Sequence, residues 1–147
     1  MSQSELHRAL VANMAVAVEK RFAGIRIVTD FQHVPGDEVP PQINQHQPDL
    51  YARADSGKNL ILGEAKTPCD IDTDRSLGQL SAFIKHLESR GAGTLILSVP
   101  DHSAGLAKTM LRFLRNKLNV SNIRLEVYDQ LDFWVLDQTG GRLWRLC

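Results

Sequence analysis

A chain of 147 residues is about one domain long and can bury a real core. Apolar residues make up 43% and charged residues 23%, the balance of an ordinary globular protein, and 17 Lys+Arg offset 17 Asp+Glu, which excludes a globally basic nucleic-acid-binding surface. Cys69 and Cys147 have no CxxC or histidine partner at ligand spacing, against structural zinc or a disulfide framework. No apolar run reaches the ~18 residues that span a bilayer, and the opening MSQSELHR is not a signal peptide. The expectation is a cytoplasmic protein with no membrane partner.

Ser4 to Arg21 reads as an amphipathic helix, with Leu6, Leu10, Met14 and Ala17 at helical spacing and a capping box from Ser2 and Glu5. Ile25 to Phe31, rich in β-branched residues, is a first strand. Gln32 to Gln47 holds Pro35, Gly36, Pro40 and Pro41 without periodicity and reads as an irregular loop. Leu50 to Ala54 and Leu60 to Thr67 read as strands of a hairpin turning at Asp55-Ser56-Gly57-Lys58-Asn59. Asp72 reads as the N-cap of a helix to about Arg90 with an apolar stripe at Leu77, Leu80, Phe83, Ile84 and Leu87, ended by Gly91 to Gly93. Thr94 to Val99 follows as a strand covered on both faces, and Ser103 to Asn119 as a helix burying Ala104, Ala107, Leu111, Leu114 and Leu118. Ile123 to Tyr128, Phe133 to Asp137 and an extended Arg142 to Cys147 close the chain.

The hairpin gathers charge at its ends. Asp49 starts one strand opposite the place where Glu64 and Lys66 finish the other, and Glu64 and Lys66, two apart, share a face. Two carboxylates and an ammonium in one small space cost stability when buried unless a cation or substrate uses them. From Asp30 to Asp74 nine acidic residues (30, 37, 38, 49, 55, 64, 70, 72, 74) face three basic ones (Arg53, Lys58, Lys66), whereas Lys108 to Arg145 holds seven basic against four acidic. An acidic centre suits a divalent cation, and a basic remainder suits a phosphate backbone.

Pro48-Asp49 and Glu64-Ala65-Lys66, 64 − 49 = 15 positions apart, resemble the motif of the PD-(D/E)xK nuclease superfamily, the restriction-endonuclease-like fold. The element order resembles it too: the first six elements follow that family's αβββαβ core, with the motif Asp at the start of the second strand and the ExK at the end of the third. Gln79 and Phe83 echo the QxxxY signature of the RecB-like or Holliday-junction-resolvase-like branch, with Phe83 replacing the tyrosine. The resemblance covers roughly residues 4 to 100 of a single domain spanning 1–147. It implies an α/β fold with a mixed central sheet flanked by helices, and a magnesium- or manganese-dependent deoxyribonuclease, an endonuclease. It also implies metal ligands at Asp49, Glu64 and the Ala65 carbonyl, with Lys66 and Gln79 completing the catalytic group. Lys66 would either position or deprotonate the attacking water, or stabilise developing charge. DNA is the expected partner, and a homodimer is the route to two-strand cleavage.

Other residues have two readings each. Glu5 sits where related nucleases often place a first-helix glutamate, and it also fits the capping box; Arg75 lies one helical turn before Gln79. His33 and His46 are loop histidines able to meet phosphate or simply solvent. Lys108, Arg112 and Arg115 form a basic helical stripe, either solvated or tracking a backbone. Phe133, Trp134, Val135 and Leu136, with Leu143, Trp144 and Leu146, form a dimer surface or cover this domain's own core. The alternative to an enzyme is a non-catalytic module of the same fold that binds nucleic acid or a protein.

Overall fold

A computed structural model describes residues 2–30, 38–53, 59–136 and, for the backbone path alone, 143–146. Asp55 to Lys58 of the expected hairpin turn, His33 and Cys147 lie outside the described residues. The chain is mixed α/β: helices α1 (Gln3–Arg21), α2 (Asp74–Ser89) and α3 (Ala104–Leu118) pack on one mixed sheet. Its strands are β1 (Arg26–Thr29), β2 (Leu50–Arg53), β3 (Leu60–Ala65), β4 (Thr94–Ser98), β5 (Arg124–Tyr128), β6 (Phe133–Leu136) and β7 (Leu143–Leu146). Sequential strands are neighbours throughout, in the order β1-β2-β3-β4-β5-β6-β7. β1, β2 and β3 run antiparallel, α2 and α3 cross over to parallel β4 and β5, and β6 and β7 return antiparallel.

Side-chain alternation along β3 explains the layers. Leu60 and Leu62 join Leu80, Phe83, Ile84 and Leu87 of α2 and Ala107, Leu111 and Leu114 of α3 in one core. Ile61 faces the other way, onto Met14 and Val18 of α1, and Ala65 meets Leu10 and Val11. All six β3 residues are buried, so the strand has no solvent face on which Glu64 could be an ordinary surface charge. Gly63 is required where α1 crosses: a Cβ there would stand 2.7 Å from Met14 Sδ and 3.0 Å from Leu50 Cβ.

Local signals place the helix ends. Ser2 Oγ accepts from the Glu5 amide at 3.2 Å while Glu5 Oε2 accepts from the Ser2 amide at 3.0 Å, the expected capping box. The N-cap of α2 is Thr73 rather than Asp72, because Thr73 Oγ1 accepts from the Ser76 amide at 3.1 Å. α3 ends on Asn119 in the left-handed conformation, φ 52°. Among the described residues no helix is long and apolar enough to cross a membrane.

Two surface expectations change. Lys108, Arg112 and Arg115 do not form an open stripe: Arg115 is buried, donating to the Val120 and Leu136 carbonyls, and the Lys108 ammonium lies 4.3 Å from the centre of the Trp134 ring. Phe133, Val135 and Leu136 are buried in this chain's own core, and Trp134 donates from Nε1 to Asp129 Oδ2 at 2.9 Å. For β6 the core reading therefore replaces the dimer surface; the side chains of Leu143, Trp144 and Leu146 lie outside the described residues.

Candidate active site

The antiparallel ladder between β2 and β3 pairs Leu50 with Gly63, so the next positions out are Asp49 and Glu64. There the side chains take over from the ladder. Glu64 Oε1 accepts from the Asp49 amide at 3.2 Å, and Asp49 Oδ2 accepts from the Ala65 amide at 2.8 Å. Each carboxylate is thus locked to the backbone beside the other. Lys66 is held in turn: its Nζ donates to Gln79 Oε1 at 2.5 Å and lies 3.3 Å from Glu64 Oε2. Asp49, Glu64, Lys66 and Gln79 are each less than a tenth exposed. The sequence reading brought these four together, and so does the chain.

They form the floor of an open cleft of about 480 Å³. One wall is the start of α2 with Arg75, Ser76 and its cap Thr73; the other is the loop bearing Gln42, Gln45 and His46. His46 also stands edge-on to Phe83, ring centres 6.4 Å apart. Phe83 itself is fully buried core, so the position that carries the signature tyrosine has no polar role here. Glu5 does not line the cleft; its carboxylate is spent on the Ser2 amide.

Of the lining residues that the sequence reading did not assign to the site, two bear directly on Asp49. His7, one turn after the cap of α1, places Nε2 3.2 Å from Asp49 Oδ2, a contact that only tertiary packing reveals. Asp30 follows β1, and its amide donates to the Asp49 carbonyl at 3.0 Å. The β1–β2 register, Thr29 opposite Leu50, already sets Asp30 beside Asp49, so a sequence reading that fixed this register would have found it.

Three carboxylates so close cannot all ionise freely. Burial, then the neighbouring Asp49 charge, push the Glu64 carboxyl well up. Burial and a hydrogen bond shared with Asp49 push Asp30 up to about 7. Asp49 takes the opposite direction: burial opposes it, but hydrogen bonds from His7, Asp30 and the Ala65 amide hold its carboxyl below the usual range. His7, bonded to Asp49, is raised.

This donor set fits a hard divalent cation. The Glu64 charge is disfavoured where it lies, and the buried Asp30 Oδ1 has no hydrogen-bond partner. Among the described residues no three His, Cys, Asp or Glu side chains form a metal-holding group. A cation here would therefore draw on Asp49, Glu64, the Ala65 carbonyl and water, the sparse protein ligation that Mg²⁺ accepts.

Compared with protein-family models, with curated proteins and with solved structures, the chain matches none of them.

Proposed function

We propose that the chain is a metal-dependent nuclease of the PD-(D/E)xK kind, an endonuclease hydrolysing phosphodiester bonds of DNA. The observation that carries the reading is the convergence of Asp49, Glu64, Lys66 and Gln79, all buried, on the floor of one open cleft. Buried charge of this density is costly unless something uses it. The succession of a helix, three antiparallel strands, a crossover helix and a parallel fourth strand adds support, since it is the order that the resemblance implies.

Asp49, Glu64 and the Ala65 carbonyl would hold Mg²⁺ or Mn²⁺, which when bound supplies an activated water and neutralises phosphoryl charge. The chain's own groups do the rest. Lys66, engaged by Glu64 and Gln79, keeps one of its three N–H donors for the substrate. An ammonium fixed by two acceptors is oriented as a donor, which suits stabilising charge on the phosphorane oxygens better than abstracting a proton. Arg75, on the cleft wall, is placed to contact a phosphate oxygen. His7 and the Ala65 amide both bond Asp49 Oδ2, which fixes the orientation of that carboxylate. The described residues hold one such site, so two-strand cleavage calls for a second copy; sedimentation as a monomer at micromolar concentration would remove the dimer.

The test is incubation with plasmid, single-stranded and branched DNA in Mg²⁺ or Mn²⁺. Cleavage is expected, lost in Glu64→Gln and reduced by about 10²–10³ in Lys66→Ala, the usual effect of removing one charge-stabilising donor. Cleavage that survives both changes would refute the assignment, and oligonucleotide binding without cleavage would favour the non-catalytic module.

A further inference from the structure

One wall of the cleft has a chemistry that hydrolysis leaves unused. Between Ile43 and His46 the chain reverses in two residues, the flanking pair exchanging hydrogen bonds: Ile43 N to His46 O at 2.7 Å and His46 N to Ile43 O at 3.0 Å. The turn residues Asn44 and Gln45 are both left-handed, φ 51° and 69°. Two-residue turns of this hand are normally Asn-Gly, since glycine takes the second position without a Cβ penalty. Asn44 follows that preference and Gln45 breaks it.

The turn is pinned from both sides. Ile43 is buried in the core, His46 abuts Phe83, and Gln47 Nε2 donates to the Pro40 carbonyl at 3.0 Å. Anchors of this kind hold a strained residue in place, and strain retained beside a site marks a side chain kept for use. What the strain presents is the exposed amide of Gln45, lining the cleft beside exposed Gln42.

These amides contrast with the carboxylates and Lys66 of the floor and with Arg75 opposite. A carboxamide donates and accepts side by side, which matches the edge of a nucleobase rather than a phosphate. A cleft of about 480 Å³ is the size that takes one small ligand, room for one unstacked nucleotide. We infer that Gln45, with Gln42 beside it, holds the base of a single-stranded nucleotide whose adjoining phosphate lies over Asp49 and Glu64. The position of that phosphate rests on the hydrolysis reading; the base contact does not.

Three variants test this. Gln45→Ala keeps the strain and removes the amide, Gln45→Gly removes both, and Gln45→Asn keeps a shorter amide on a residue that tolerates the left-handed region. Fluorescence anisotropy with labelled dA, dC and dT homopolymers and a duplex of equal length, in Ca²⁺, reads binding; thermal melts read the turn. The wild type should prefer single strands and discriminate among the homopolymers. Gln45→Ala should shrink that discrimination by about fivefold or more, the loss of one amide–base contact, with Tm unchanged, and Gln45→Asn should fall between. Gln45→Gly should lose discrimination while its Tm rises by about 1–4 °C. Discrimination unchanged in Gln45→Ala, or tighter binding of the duplex, overturns the inference. A chain that discriminates but cuts nothing leaves the inference standing and removes hydrolysis. Cleavage with base preference intact in Gln45→Ala removes the inference alone, and a chain that binds no oligonucleotide removes both.

Discussion

The Asp30–Asp49 contact makes the metal-free protein sensitive to pH in a direction that one substitution should reverse. Asp30 titrates near 7 in the folded chain against 3.8 as the ordinary value, a difference of about three units. At about 1.4 kcal/mol per unit the ceiling is about 4 kcal/mol. The side chain is only half-buried beside an open cleft, so solvent screening leaves about 1–2 kcal/mol. Because the folded state holds the proton more tightly, that stability is fully present below pH 3.8, fades as pH rises through 7, and is absent above. The Asp49 shift is downward, so its contribution is lost only at pH below 3.8, outside this window. Asp30→Asn replaces the shared proton with an amide N–H that donates to Asp49 at every pH. Melts in EDTA from pH 4 to 9 should therefore nearly superimpose at pH 4, draw apart as pH rises from 4 to 7 and keep a constant gap above 7, with the variant higher there by roughly 2–8 °C at 2–4 °C per kcal/mol for a chain of this size. Glu64 slopes the same way in both proteins and cancels in the difference. Parallel curves over the whole range would refute the shared-proton description.

Mg²⁺ at about 100 times its Kd should stabilise the wild type by about 2.7 kcal/mol, a Tm rise of roughly 5–11 °C, and Glu64→Gln should abolish the rise; an undiminished shift would place the cation elsewhere. Gly63→Ala drives a methyl into Met14 and Leu50 and should cost about 1–3 kcal/mol in denaturant titration, partly recovered with Met14→Ala; strict additivity of the two changes would contradict the close approach. Glu126, fully buried, is held bidentate by Arg21 and by Arg124 at 2.8 Å, so Arg21→Met should cost about 3–5 kcal/mol, partly restored by Glu126→Gln. A neutral Arg21→Met would mean the pair is worth no more than a solvated one.

The sequence showed the site where short-range rules govern. Pairing of Leu50–Arg53 with Leu60–Ala65 follows from alternation and turn residues, and it is enough to bring Asp49, Glu64 and Lys66 together. Gln79 was legible through the resemblance, its spacing to Phe83 echoing the QxxxY signature on the helix after the hairpin. Asp30 and His7 were not, since one needs a register across an irregular loop and the other a contact between residues 42 positions apart. The basic stripe on α3 misled for a related reason: helical spacing gives the angle of Arg115 around the helix axis, but not that the carbonyls of Val120 and Leu136 close over it.

On the floor of the cleft the two carboxylates stand in for a strand partner, receiving amides that a longer ladder would have paired with carbonyls. The backbone N–H groups of Asp49 and Ala65 should then exchange with deuterium as slowly as those inside β3, although neither has a cross-strand carbonyl on that side. Truncating either acid to alanine would open a fast-exchanging patch at the hairpin's end as well as silence the chemistry. Loss of activity in such a variant conflates two causes. The amide isosteres, which keep an oxygen for each of those hydrogens, are the substitutions that separate the architecture of this corner from its reactivity.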